Sequence, residues 1–135
     1  MIPRGIRNHN PGNIRHGDKW QGLSAEQTDS SFCVFEAPEY GIRALAKILL
    51  NYERKYGLNT VQKIINRYAP EVENDTASYV ASVAGQLGVG ADEVIDICDT
   101  AVMLVLVKAI IRHENGCQPY DNEVLIKGIK MAGVK

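Results

Sequence analysis

Apolar residues recur at helical spacing along most of the chain beyond position 40. The clearest example is the segment at 41–57, where one face carries Ile42, Leu45, Leu49, Tyr52 and Tyr56. Spacings of three and four residues place side chains on one side of an α-helix. Gly57 follows directly, and glycine commonly ends a helix in the left-handed conformation. The pattern therefore predicts an amphipathic helix that ends at Gly57.

Further helical segments follow, most of them preceded by a residue that suits a helix N-cap. We predict helices at 60–68, at about 76–88 with Asn74 or Asp75 as cap, in a short segment opened by Asp92 and Glu93, at 100–114 after Asp99, and beyond Asp121. The helix at 100–114 is apolar on all sides, which is typical of a buried helix. The pattern thus predicts six helices, with this one at the centre.

The first third of the chain lacks this periodicity. It is rich in turn-forming residues, notably PGN at 11–13 and HGDKWQG at 16–22, and its clearest candidate strand is FCVF at 32–35. We therefore predict a small N-terminal β-hairpin or loop-rich β lobe. The fold class is mainly α (α+β), with one domain over 1–135 that consists of a turn-rich β lobe at 1–38 and a helical lobe at 39–135.

Composition indicates an ordinary globular protein without a polyanionic partner. Hydrophobic residues make up 45% and charged residues 23%, and 15 basic against 16 acidic side chains leave a net charge of -1. Nucleic-acid-binding modules usually carry a basic excess, so we expect no nucleic acid as partner. Cys33, Cys98 and Cys117 are expected to be reduced, mostly buried thiols.

The sequence begins without the apolar core of a signal peptide, and its longest apolar run, Ala101–Val107, is too short to span a membrane. We therefore expect synthesis in a bacterial cytoplasm and no membrane insertion. Action at the periplasm or cell wall would then require release from the cell or delivery within a virion.

Several segments together resemble a family of small phage and prophage proteins. They are RGIRNHNPGNIR at 4–15, HGDKWQG at 16–22, FCVFEAPEYGIRALAKIL at 32–49, TVQKIINRYAPEVENDTASYVASVAGQLGV at 60–89 and AIIRHENGCQPY at 109–120. Members of that family are often labelled virion structural proteins, and some are regarded as lysozyme-like or lytic-transglycosylase-like. The resemblance implies a lysozyme-like fold and an activity against the glycan strands of peptidoglycan, as muramidase or lytic transglycosylase.

Cleavage of a glycosidic bond requires a carboxylic acid that can protonate the leaving oxygen. In lysozyme-like folds this acid is a glutamate at the carboxyl end of the buried helix, a position that Glu114 occupies here. The negative end of the helix dipole disfavours an ionised carboxylate, which suits an acid. The alternative is a surface glutamate in a frayed last turn, paired with Arg112 or Lys108. In most lysozymes the acid-bearing helix precedes the β lobe, so this assignment implies a circular permutation.

The second carboxylate is less defined. Glu73 lies at a loop-to-helix junction, where capping by its neighbours is the competing explanation, and Glu36 follows the FCVF strand, from which it would reach a cleft. A lytic transglycosylase needs only one glutamate, because the 6-hydroxyl of its substrate closes the ring. The absence of a partner for Glu114 would therefore be compatible with that activity.

Sugar binding favours aromatic rings and amide groups. The candidate substrate-binding residues are Asn10, Asn13, Arg15, Trp20 and Tyr120. The asparagines are equally explained by turns, and Trp20 by a role as a core anchor beneath its loop. Tyr79 is expected in the core.

Other chemistries find less support. A zinc enzyme would use His9, His16 or His113, but no HExxH or comparable spacing is present, and no phosphate-binding glycine loop occurs. A cysteine hydrolase would need Cys33 or Cys117 with His113, and neither cysteine clearly opens a helix. We expect no cofactor and no metal. The main alternative is a non-enzymatic phage virion component, or a lysozyme-like protein that only binds glycan or another protein.

Overall fold

The structure is a computed structural model that describes residues 2–70 and 75–135. Within these residues it contains six helices and isolated β-bridges instead of paired strands. The helices are α1 (Arg4–Arg7), α2 (Pro38–Tyr56), α3 (Val61–Tyr68), α4 (Thr76–Leu87), α5 (Thr100–Asn115) and α6 (Asn122–Met131). The mainly helical class is therefore confirmed.

Several helix ends lie where the capping pattern predicted them, although α2 begins at Pro38 and not at 41. The side chains of Asp75, Asp99 and Asp121 accept hydrogen bonds from backbone N–H groups in the first turns of α4, α5 and α6. Gly57 and Gly88 end α2 and α4 in the left-handed conformation. These boundaries depend on local chemistry, which is why the sequence reveals them.

The core is formed mainly by one face of α2 together with α3–α6. Helix α5 contacts α1, α2, α4 and α6, in agreement with its all-round apolar pattern. Gly128 lets α6 approach α2 closely, because a Cβ atom there would lie 2.6 Å from Cγ2 of Ile42 and 2.8 Å from the carbonyl oxygen of Glu39. This close approach of two backbones sets the spacing of the α2–α6 pair.

The predicted N-terminal β-hairpin is wrong. In the described part of the first third, single antiparallel bridges join Arg15 to Phe32 and Leu23 to Phe35, and no ladder extends from them. Side-chain amides take some of the backbone partners that a ladder would use, beside a few backbone bonds such as that from the N–H of Cys33 to the carbonyl of Ile14. The Gln27 side chain binds N–H and C=O of Val34, and the buried Asn10 side chain binds Ile14 N–H, Ile14 C=O and Cys33 C=O.

The irregular segment is held to the start of the chain by Asp29. Its carboxylate accepts two hydrogen bonds of 2.6 Å from the Arg4 guanidinium, one from the side chain of Asn8, and further ones from the N–H groups of Ser31 and Phe32. The bonds from Arg4, and then those from Ser31 and Asn8, hold the pKa of Asp29 well below its usual range. The ionised form of Asp29 therefore stabilises the folded state.

The short helix predicted after Asp92 is also wrong. Residues 91–93 form a turn and a bend, and a short stretch follows in which Val94 is bridged to Thr60 and the N–H of Ile95 is bonded to the carbonyl of Asn59. Ile95 and Ile97 are buried, whereas Val94 is 67% exposed. This alternation has the two-residue period of an extended chain, and it outweighs the acidic residues that suggested a helix start.

Cys33 is buried, but Cys98 and Cys117 are exposed, so the expectation of mostly buried thiols is wrong. The four-residue helix α1 was not predicted.

None of the helices in the described residues combines the length and the apolar character needed to cross a membrane.

Replacement of Gly128 by alanine tests the α2–α6 contact. The added methyl group would overlap Ile42, and this cost should exceed the gain of about 1 kcal/mol in helix propensity. We expect a net loss of about 1–2 kcal/mol in the free energy of unfolding, measured by urea denaturation. Gly85→Ala is the control, because Gly85 lies in α4 with open space around its Cα. Gly85→Ala should be neutral or gain up to about 1 kcal/mol from helix propensity. A Gly128→Ala variant that is as stable as the wild type, or more stable, would contradict the proposed constraint.

Replacement of Asp29 by asparagine tests the N-terminal clamp through its pH dependence. A lowered folded-state pKa contributes stability that is present above the unfolded pKa, about 3.9, and is lost as the pH falls below it. The variant should therefore be less stable than the wild type at pH 7, and the difference should shrink below about pH 4. The urea midpoints of the wild type and the variant, compared at pH 7 and again below about pH 4, measure this difference in stability. A difference that stays constant down to pH 2.5 would rule out the clamp, and Asp18→Asn, at an exposed turn residue, is the control.

Candidate functional site

A cleft of about 360 Å³ lies where the N-terminal loop meets the helices. Its walls come from the loop after α1, from the side of α2, and from the carboxyl ends of α3 and α5. The lining residues are Gly12, Asn13, Ile14, Arg15, Phe32, Ile48, Tyr52, Tyr68, Ala69 and Glu114. Aromatic rings, amide groups and a carboxylate thus share one concave surface, as is common in ligand sites.

Glu114 is the one carboxylate that lines this cleft among the described residues. It sits in the last turn of α5 and is half-buried. Asn13 donates a long hydrogen bond of 3.4 Å to Oε1, and the Tyr79 hydroxyl donates one of 3.2 Å to Oε2. Both carboxylate oxygens are therefore oriented by groups from other parts of the chain.

Two tyrosines surround this carboxylate with neutral hydroxyl groups. Burial, followed by the negative charge of Glu114, raises the pKa of Tyr79 and that of Tyr68 far above the usual tyrosine range. Tyr79 is fully buried, and its ring stacks on that of His113 with centroids 3.6 Å apart. Neither hydroxyl ionises at physiological pH, so Tyr79 remains a donor to Glu114.

The loop that carries Asn13 is fixed on several sides. The Tyr68 hydroxyl donates to the carbonyl of Gly12, and the Asn115 side chain donates at 2.8 Å to the carbonyl of Pro11. Asn13 itself has a φ of 52°, which asparagine tolerates better than most residues. Gly5 of α1 lies so close that an added Cβ would be 2.6 Å from Oδ1 of Asn13. The loop is thus pre-organised beside Glu114.

The structure brings together three of the residues singled out from the sequence. Glu114, Asn13 and Arg15 all line the cleft. Arg15 is exposed, and its guanidinium lies 5.1 Å from the centroid of the Phe32 ring. Tyr79 is in the core, as predicted, although its hydroxyl contacts the site.

Other candidates lie elsewhere. Asn10 is fully buried and its side chain bonds the backbone, so it shapes the loop. Trp20 packs on a small core formed by Ile14, Cys33, Phe35 and Ala44, as an anchor under its loop would. These side chains therefore support the N-terminal segment, and neither lines the cleft.

The remaining candidates also fall outside the cleft or outside the described residues. Glu36 is exposed on the bend before α2 and is absent from the cleft lining. Tyr120 packs against the main core, where burial raises its pKa to about 12. Glu73 lies outside the described residues. The described cleft therefore supplies no second carboxylate for Glu114.

Sequence reasoning missed Tyr52, Tyr68 and Phe32 as cleft residues. Tyr52 was predicted on the buried face of α2. Its place near the carboxyl end of that helix is the one feature of the sequence that could have indicated a position at the edge of the core. Tyr68 reaches Gly12 across 56 residues of sequence, a contact that no local pattern announces. For a metal, no group of three or more His, Cys, Asp or Glu ligands is assembled in the described parts of the chain.

Comparison with known proteins places the chain among phage proteins. It is 38% identical over 131 residues to Protein P5 of Pseudoalteromonas phage PM2, an alignment that covers 94% of this chain and 80% of that protein. The chain belongs to the Protein P5 family. No family model matches the chain. Membership supports the phage origin that the sequence suggested, whereas the name of this relative indicates no activity.

Replacement of Tyr79 by phenylalanine tests the coupling between α4 and Glu114. Loss of the hydroxyl removes a donor to a half-buried carboxylate, and we expect the free energy of unfolding to fall by about 1–2 kcal/mol. A double-mutant cycle with Glu114→Gln, measured by urea denaturation at pH 7, should show that the two effects are not additive. Tyr52→Phe is the control, since burial and the nearby charge of Arg67, and no hydrogen bond among the described residues, act on the Tyr52 hydroxyl. Additive effects at positions 79 and 114 would argue against the contact.

Proposed function

We propose that this protein cleaves the glycan strands of peptidoglycan, with Glu114 as general acid. The observation that carries the proposal is the placement of a half-buried glutamate on the wall of an open cleft, beside amide and aromatic groups. A carboxylate in a frayed surface turn would lack such an environment. The proposal includes a lysozyme-like relationship and delivery to the cell wall by lysis or in a virion.

The chemistry assigned to Glu114 follows from its two oxygens. A protonated Glu114 gives its proton to the glycosidic oxygen while the bond between that oxygen and the anomeric carbon breaks. Tyr79 holds Oε2 from the core side, and Asn13 borders Oε1. A substrate in the cleft would meet Oε1, whose bond to Asn13 is the longer of the two.

Of the two glycan-cleaving reactions, the lytic transglycosylase reaction fits the described cleft better. The 6-hydroxyl of the muramic acid attacks the anomeric carbon and returns its proton to Glu114, which yields a 1,6-anhydro end without added water. This route needs one carboxylate, and Glu114 is the one that the described residues supply. A muramidase of the usual kind would require a second carboxylate, so that the two carboxylates flank the glycosidic bond that is cut.

A non-enzymatic role is the second candidate, and a specific observation favours it. Both oxygens of Glu114 already accept hydrogen bonds from side chains, so this residue can also be understood as a structural link between α4, α5 and the N-terminal loop. In that case the cleft would bind glycan or a virion partner without cleaving anything.

Purified protein incubated with isolated sacculi separates these candidates. We expect soluble muropeptides with anhydro ends in mass spectra, and we expect Glu114→Gln to lower the rate by at least about a hundredfold, as is typical for loss of a general acid. Glu26→Gln, at an exposed position of the N-terminal segment, should retain full activity.

The products also discriminate between mechanisms. Reducing ends would replace the transglycosylase assignment with a muramidase or glucosaminidase. Intact sacculi after incubation with folded wild-type protein at several pH values would favour the non-enzymatic role. Full activity of Glu114→Gln would leave cleavage in place but remove Glu114 as the acid.

A further inference from the structure

An arginine and two tyrosines extend one side of the cleft. Tyr52 lines the cleft from α2, and Tyr56 follows it one helical turn later. Arg67, in the last turn of α3, lies over both rings, with its guanidinium carbon 5.9 Å from the Tyr52 centroid and 4.7 Å from the Tyr56 centroid. The Tyr56 side chain is 56% exposed. An aromatic surface capped by a cation thus continues from the cleft to the outside of the molecule.

A second arginine lies on an aromatic ring at the cleft. Phe32 is contacted by two guanidinium groups, that of Arg4 at 4.7 Å and that of Arg15 at 5.1 Å from its centroid. Arg4 is occupied by Asp29, but Arg15 forms no ion pair with any carboxylate in residues 2–70 and 75–135. The same holds for Arg67. Each arginine is therefore supported by a ring and retains its hydrogen-bond donors for a ligand.

Such arginines suit a ligand that carries carboxylates. A guanidinium presents a planar fork of donors that binds a carboxylate through two hydrogen bonds, and stacking on a ring restricts its motion before the ligand arrives. Exposed tyrosine rings at the same place can pack against the apolar face of a pyranose. A site for a neutral glycan would have less use for such arginines, because a cation without a charged partner would add little to its affinity.

On the assumption that the proposed function is correct in naming a glycan as ligand, we propose that Arg15 and Arg67 select strands bearing carboxylates. The carboxylates in peptidoglycan belong to the stem peptides, or to the lactyl groups where the peptides have been removed. Arg67, with Tyr52 and Tyr56, forms a subsite outside the reacting centre, and Arg15, with Phe32, forms one inside the cleft. Both are specificity-determining residues.

Three soluble ligands test this assignment by calorimetric titration. They are peptide-bearing glycan strands, strands stripped of peptides by an amidase so that free lactyl carboxylates remain, and chito-oligosaccharides, which lack carboxylates. All proteins carry Glu114→Gln so that no ligand is cleaved, and circular dichroism verifies their folding. Arg67→Gln and Arg15→Gln should each weaken binding of at least one carboxylate-bearing ligand by about five- to tenfold and leave chito-oligosaccharide binding within about twofold.

The control is Arg54→Gln. Arg54 is an exposed arginine of α2, and it points away from Tyr52 and Tyr56 because two residues correspond to about 200° around a helix. The Arg54→Gln substitution should leave the affinity for all three ligands unchanged. The ligand whose binding falls most in the Arg15 and Arg67 variants identifies the source of the carboxylate.

The inference and the proposed function fail in different ways. Equal losses for the three ligands, no loss for any of them, or no measurable binding of any ligand would overturn the role of these arginines. Intact sacculi after incubation with wild-type protein would overturn cleavage. Arginine-dependent binding of carboxylate-bearing strands would survive that result and define a binding protein with the same selectivity.

Discussion

The cleft depends on the hydrogen bonds of two asparagine side chains. Asn10 is buried and bonds Ile14 and Cys33 on both sides of the N-terminal loop, and Asn115 at the end of α5 bonds the carbonyl of Pro11. An amide can donate and accept at once, so it can replace strand pairing in a segment too irregular for a ladder. The loop thereby becomes a wall of the cleft rather than a free connection, and Asn13 is placed beside Glu114.

Features that depend on neighbouring residues could be predicted from the sequence, whereas features that depend on distant contacts could not. The carboxyl ends of α2, α4 and α5 and the amino ends of α4, α5 and α6 depend on a glycine or an aspartate next to the helix, and these ends were predictable. The absence of a β-hairpin was not predictable, because the FCVF segment has strand propensity, while the side chains of Asn10 and Gln27 bind the backbone of Cys33 and Val34 in place of part of a ladder. The segment after Asp92 shows a similar conflict, in which burial of Ile95 and Ile97 prevails over helix-start residues.

For the candidate site, too, the local feature was predictable and the distant contacts were not. Glu114 stood out because it ends the most apolar helix, the position that the resemblance to lysozyme-like proteins implies for the acid, and the helix is visible in one stretch of sequence. Its partners Asn13 and Tyr79 lie 101 and 35 residues away, so their contacts depend on how α4, α5 and the loop pack. Asn13 was a candidate only as one asparagine among three. The choice between Asn10 as support of the loop and Asn13 as a residue of the cleft wall required the structure.

The arrangement around Glu114 also bears on how one carboxylate would act as a structural link and, in the proposed reaction, as a proton donor. The Asn13 amide nitrogen can only donate, so a proton on Oε1 would displace it, whereas the Tyr79 hydroxyl can donate to Oε2 in either state of the acid. The bond that must yield is the longer one, at 3.4 Å, and it joins two residues that line the cleft. Asn13 would then be free to bind a sugar hydroxyl while Tyr79 keeps Glu114 in place. The link to α4 and the proposed chemistry therefore use different oxygens of the same side chain.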